Sequence, residues 1–266
     1  MPLRRLTWMV LLLGTSAAPG SVLAQRTSDQ ARLIFTLSAG IIGGKNLWSA
    51  SPQPIQPAGA VDTLALGRRI RSNLAISLTG SYFPGAHLGL MVEGFLVGLG
   101  FEDSCRQIFS SGSSAVSTLC ESIQGAEKAA TSVILSAGPV FRLNSQSLVS
   151  PYGRLSAGFI FSNQSSLRTT GLLPTSQGLQ PFDVYIDEHE SRVEPALSAG
   201  LGFTAAVARG YQLRWEVRDN MVGVQRITGV TSQAGLVPSH ELEFKHLLSM
   251  MIGVDVVLER RRGRRY

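Results

Sequence analysis

The chain has 266 residues, 44% of them apolar and 16% charged, with a formal net charge of +6. Arg4 and Arg5 contribute two of the positive charges and the arginines at 260, 261, 262, 264 and 265 five more, which leaves residues 25–259 at −1. A nearly neutral body of this kind gives no reason to expect nucleic-acid binding. Past residue 24 no apolar stretch approaches the roughly 20 residues of a membrane-spanning helix, and no long amphipathic helical pattern stands out.

The first element is a leader. Arg4 and Arg5 form a basic start, Trp8 to Gly14 an apolar segment, and Val22-Leu23-Ala24 a small-residue cleavage site. This predicts a secretory signal peptide over residues 1–24, cut between Ala24 and Gln25. Two cysteines follow, Cys105 and Cys120. In an oxidising compartment they are expected to form one disulfide.

Eight strand-like runs then recur, each alternating with period two. ARLIFTLSAGII (31–42) sets Leu33, Phe35, Leu37 and Ile41 against Thr36, Ser38 and Gly40. NLAISLTGSYF (73–83), HLGLMVEGFLVGLG (87–100), TSVILSAGPVFRL (131–143) and PYGRLSAGFIFS (151–162) read the same way. So do RVEPALSAGLGFTAAV (192–207), YQLRWEVRDN (211–220) and KHLLSMMIGVDVVL (245–258). Each is close to the roughly 9 to 11 residues of a tilted membrane strand. Connections alternate in length: long at 44–72, 101–130, 163–191 and 228–244, short at 84–86, 144–150 and 208–210. Short periplasmic turns alternating with long outer loops are the mark of an antiparallel membrane barrel.

The polar rows pool Glu93, Arg142, Arg154, Glu194, Arg214, Glu216, Arg218 and Asp255, flanked by Ser, Thr and Gly. A soluble ligand-binding barrel would turn these rows to water and the apolar rows inwards. An outward charge at the middle of a bilayer would instead cost roughly 2 to 4 kcal/mol. The continuous apolar rows, the small residues beside the charges and the leader together place the charges in the lumen. The expected network comprises Glu93, Arg154, Glu194, Arg214, Glu216, Arg218 and Asp255, centred on Glu216. The predicted fold is all-β: one eight-stranded antiparallel up-and-down transmembrane β-barrel over residues 25–258, followed by a basic tail at 259–266.

The element order, with LGLMVEGF (88–95), PYGRLSAGFIF (151–161) and the closing strand, resembles the small eight-stranded bacterial outer-membrane barrels of the OmpA/OmpX type. The resemblance covers nearly all of the chain after the leader. It implies residence in the outer membrane among lipids and lipopolysaccharide, as a monomer. It also implies a last strand (245–258) read by the barrel-assembly machinery, with Gly253, Val256 and Leu258 matching that signal. Met251 departs from it, standing where a polar residue is usual, and ERRRGRRY follows where such chains commonly end on the aromatic.

No phosphate-binding loop, Ser-centred elbow or HExxH motif is present, and neither a cofactor nor a metal is expected. Some barrels of this size are lipid A deacylases with a His and a Ser two residues apart. His189 and Ser191 in EHESRVE (188–194) have that spacing, but a regular strand would put Glu194 on the opposite face. The expected role is non-enzymatic, a surface or structural barrel with its loops as contact sites. The alternatives are a narrow channel for small solutes and, behind it, the deacylase.

Overall fold

The computed structural model describes residues 32–44, 46–55, 61–143, 148–163, 168–185, 192–227 and 240–259. The expected signal peptide at 1–24, the arginine-rich stretch beyond Glu259, His189 and Ser191 lie outside them. Eight strands close into a ring: β1 (Arg32–Gly44), β4 (Asn73–Phe83), β5 (Leu88–Phe109), β6 (Glu127–Arg142), β7 (Val149–Ser162), β10 (Val193–Ala208), β11 (Tyr211–Ile227) and β12 (His240–Glu259). All neighbours are antiparallel, and β1 closes the ring by pairing with β12 from Arg32↔Glu259 to Gly44↔Leu247. Closure removes the free edges that an open sheet would leave unsatisfied in hydrocarbon.

Alternation decides the two faces. Leu37, Leu74 and Leu201 point outwards and are 61%, 75% and 73% exposed, whereas Thr36, Ser77 and Arg218 point into the lumen and are buried. The outward rows form a belt of exposed Leu, Ile, Val and Phe around the ring, a surface that fits lipid hydrocarbon and not water. Near the short turns the belt carries Tyr82, Phe141, Phe203 and Tyr211, and Phe203 stacks on Trp215 with ring centroids 5.0 Å apart. Aromatic rings at this level are suited to the boundary between hydrocarbon and headgroups. In the Arg209–Gly210 turn joining β10 to β11, Gly210 has φ +81, a conformation that glycine adopts without steric cost.

The expected outer loops are only partly loops. Residues 44–72 contain β2 (Asn46–Ile55) and β3 (Asp62–Ile70), and β3 pairs with the outer part of β5, from Ile70↔Phe101 to Thr63↔Phe109. Residues 101–130 contain that outer part of β5, the helix α1 (Ser114–Ile123) and the start of β6. Residues 163–191 contain the hairpin of β8 (Thr169–Thr175) and β9 (Gly178–Tyr185). β12 starts at His240 and not at Lys245. The wall thus continues past the lipid belt. There an outward row no longer has to be apolar, so Arg69 and Glu102 can pair on the surface at 2.7 Å without interrupting the strands.

Candidate functional site

The lumen is the place where the chain concentrates its unusual chemistry, and it is filled in three layers. At the end with the short turns, Ile34, Phe83, Met91, Val140 and Tyr152 form a small apolar cluster. The middle holds an ion-pair network. Beyond it, inward residues of the same strands turn apolar: Phe95, Val97, Ile134, Ile160, Val222 and Leu247 belong to a larger cluster that continues into the outer head. The inward row was expected to be polar throughout. In fact the ion pairs are confined to its middle, between the two apolar layers, and Arg142 lies apart from them against Phe83 in the layer near the short turns.

The network joins strands from all around the ring. Glu216 on β11 accepts from Arg218 and, at 2.5 Å, from the Tyr152 hydroxyl on β7. It also lies 3.6 Å from Arg154 and 3.8 Å from Arg214. Glu93 on β5 accepts from Arg154 through both carboxylate oxygens, from Arg218 at 2.8 Å and from the Thr79 hydroxyl at 3.0 Å. Arg214 grips Asp255 on β12 bidentately at 2.9 and 3.0 Å, and the Thr36 hydroxyl donates to the same carboxylate at 2.7 Å. Three acids face three arginines, all buried. Paired in this way, and with most of their hydrogen-bonding capacity used, charges can be tolerated in a narrow interior.

Small residues make room for these long side chains. Gly200 on β10 sits in register with both Arg154 and Arg218. A Cβ there would come within 2.7 Å of Glu216 Oε1 and 3.1 Å of Arg154 Cγ. Gly202 stands opposite Glu216 and Tyr152 in the same manner.

Of the residues expected in the network, the structure brings together Glu93, Arg154, Arg214, Glu216, Arg218 and Asp255. Glu194 is a correction. It lies at the outer end of β10, in register with Ile160, where Gln225 donates to it at 2.9 Å, and the apolar pair Ala196 and Val222 separates that end from the charges. Parity gives the face of Glu194 but not its height along the strand. Tyr152 was missed as a network member. Its parity with Arg154 in PYGR was the available signal.

The outer head was also missed as an ordered unit. Arg68 on β3, buried, holds Asp103 on β5 at 2.5 and 2.8 Å and donates to the Arg168 carbonyl at 2.7 Å, so it ties three connections together. Its guanidinium lies over the rings of Trp48 and Phe101, at 5.5 and 5.3 Å from their centroids. Cys105 and Cys120 form the expected disulfide, which fastens α1 to β5. α1 buries Val116, Leu119, Cys120 and Ile123, the i, i+3, i+4, i+7 face of a helix, largely against β8. Among the described residues no group of three or more His, Cys, Asp or Glu is placed to hold a metal ion.

No family model matches the chain, and no curated protein matches it. Solved structures do resemble it. The outer membrane protein OprG from Pseudomonas aeruginosa aligns with a TM-score of 0.53 at 11% identity, over 87% of this chain and 98% of that one. Ail of Yersinia pestis aligns with a TM-score of 0.35 at 13% identity, over 87% and 100% of the two chains. Neisserial surface protein A gives 0.39 at 10%, over 85% and 97%. The closed ring of eight strands, its lipid-facing belt and the OprG alignment agree: this chain has the fold of the small, OmpA/OmpX-like bacterial outer-membrane β-barrels.

Proposed function

We propose that the protein is a sealed outer-membrane barrel that holds an ordered head outside the cell, with a structural or contact role and no enzymatic one. The observation that carries this reading is the filling of the lumen. An eight-stranded ring is just wide enough for its own side chains, and here a salt-bridge network lies between two apolar layers. The head supports the contact role. Its three connections are bound to one another through Arg68, and the disulfide fastens α1 to β5 within one of them, which favours a fixed surface over a set of loose loops. On this reading residues 1–24 are the export signal, β12 carries the signal for the barrel-assembly machinery, and lipid and lipopolysaccharide surround the belt.

Planar-bilayer recording of the purified protein tests the proposal. The expected record has no reproducible unitary conductance. Steady conductance would replace the sealed barrel with the narrow small-solute channel. The deacylase alternative, resting on His189 and Ser191, is tested by incubating the protein with lipid A. Release of fatty acid that stops in Ser191→Ala would overturn the non-enzymatic reading, and intact lipid A supports it.

A further inference from the structure

The balanced network leaves one buried arginine out. Arg142, the last residue of β6, points into the lumen at the short-turn end and is 3% exposed. Its guanidinium lies 3.8 Å from the centroid of the Phe83 ring. Nε and Nη2 are buried with no hydrogen-bond partner. Buried donors are normally satisfied, and a buried guanidinium without an acid is rarer still. The groups around it do not supply the missing charge. Arg32 and Arg214 act on Arg142 as like charges and only Asp255 as an opposite one. The Asp255 carboxylate is already held bidentately by Arg214 and bonded by Thr36.

The backbone of Arg142 is fixed. Its N–H donates to the His87 carbonyl at 2.7 Å, and its own carbonyl lies 2.9 Å from His87 Nδ1. The side chain is therefore presented from a rigid strand end. We propose that Arg142 is a binding site for a small inorganic anion of chloride size, bound from the periplasmic side at Nε and Nη2. A water molecule would satisfy the two N–H groups but leave the charge uncompensated, whereas an anion does both. The size follows from the burial: Nε and Nη2 are buried and the guanidinium lies against the Phe83 ring, which favours a small ion over a large oxyanion.

The test uses the full-length protein purified in detergent. Crystals soaked in bromide should show an anomalous peak within hydrogen-bond reach of Arg142 Nε or Nη2. Absence of a peak there, with only water in the density, overturns the proposal. In solution the unfolding midpoint should be higher in chloride than in gluconate at equal ionic strength, because gluconate is too large to enter. That difference should vanish in Arg142→Met, which keeps an apolar side chain over Phe83. An equal difference in both proteins would assign the effect to general salt action and overturn the site. If Arg142→Met does not fold, the bromide result on the unaltered protein decides the matter alone.

Discussion

Glu93 and Arg218 are 125 positions apart in the chain and 2.8 Å apart in the lumen. They come from β5 and β11, which lie on opposite sides of the eight-strand ring. Their contact therefore spans the barrel, and Arg154 and Glu216 flank it. Arg218 also lies 5.3 Å from the centroid of the Phe95 ring, at the boundary with the outer apolar layer.

Glu216 is the acid whose loss should cost most. Removing it leaves Arg218, Arg154 and Arg214 with Glu93 and Asp255 alone, and takes away the acceptor of the Tyr152 hydroxyl. Breaking a buried pair from one side typically costs about 3 to 5 kcal/mol. Glu216→Ala should lower the unfolding midpoint in detergent far more than Glu241→Ala, whose side chain is exposed at the outer end of β12. Equal, small shifts for both would mean that the row around Glu216 is solvated.

Gly200 should be as intolerant of addition as Glu216 is of removal. A methyl group there meets Glu216 Oε1 at 2.7 Å, Arg154 Cγ at 3.1 Å and Arg218 Cγ at 3.3 Å. Gly200→Val adds a branched side chain at the same point and should displace the arginines. Overpacking of an interior typically costs about 1 to 3 kcal/mol, and the broken ion pairs add to that. Gly85, whose Cβ would meet nothing within 4 Å, supplies the control. Gly85→Val should leave the midpoint within a degree or so of the parent value, given that surface changes are usually within about 0.5 kcal/mol. A midpoint unchanged in Gly200→Val would show that the lumen is looser than these distances require.

Alternation made the ring legible in the sequence. It works wherever lipid lies on one side, because hydrocarbon forces every second residue to be apolar, as along Leu33, Phe35 and Leu37. It gives parity and not height, which is why Glu194 groups with Glu216 although Ala196 and Val222 lie between Glu194 and the charges. In the head the constraint disappears. Arg68 and Arg69 adjoin in β3, one buried against Asp103 and the other on the surface with Glu102. An LALGRRI stretch (64–70) still alternates, but its charged end reads as loop when an apolar outer face is required. The position of Arg142 against Phe83, with Nε and Nη2 unpartnered, is not legible at all, since a pooled row of acids and bases does not say which arginine is left over.

Asp103 tests whether the head is built as a unit. It is buried with Arg68, and their side chains are 1% and 0% exposed. Asp103→Ala leaves the guanidinium with the Arg168 carbonyl, the Thr169 hydroxyl and two aromatic rings. The head should then open to protease in the 168–185 hairpin, which Arg68 otherwise holds. The exposed pair Arg69–Glu102 is the comparison, and Glu102→Ala should change the cleavage rate little. Similar rates for both variants would mean that the hairpin is held by α1 and not by Arg68.

The disulfide gives the last prediction, which separates head from barrel. Cys105 and Cys120 are 15 positions apart, and on the chain-entropy model closing such a loop contributes about 3 kcal/mol. That stabilisation is local, because the loop holds α1 and the outer end of β5, while β5 pairs with β4 only from Leu90 to Val97. Val116, Leu119 and Ile123 remain buried against the hairpin, so reduction should loosen α1 without expelling it. Limited proteolysis of the reduced protein should cut first between residues 106 and 126. The barrel should keep the heat-modifiable gel mobility of the folded form, since none of its network or belt depends on the bond. Simultaneous loss of that mobility on reduction would show that head and barrel unfold as one cooperative unit, and that the head stabilises the ring beneath it.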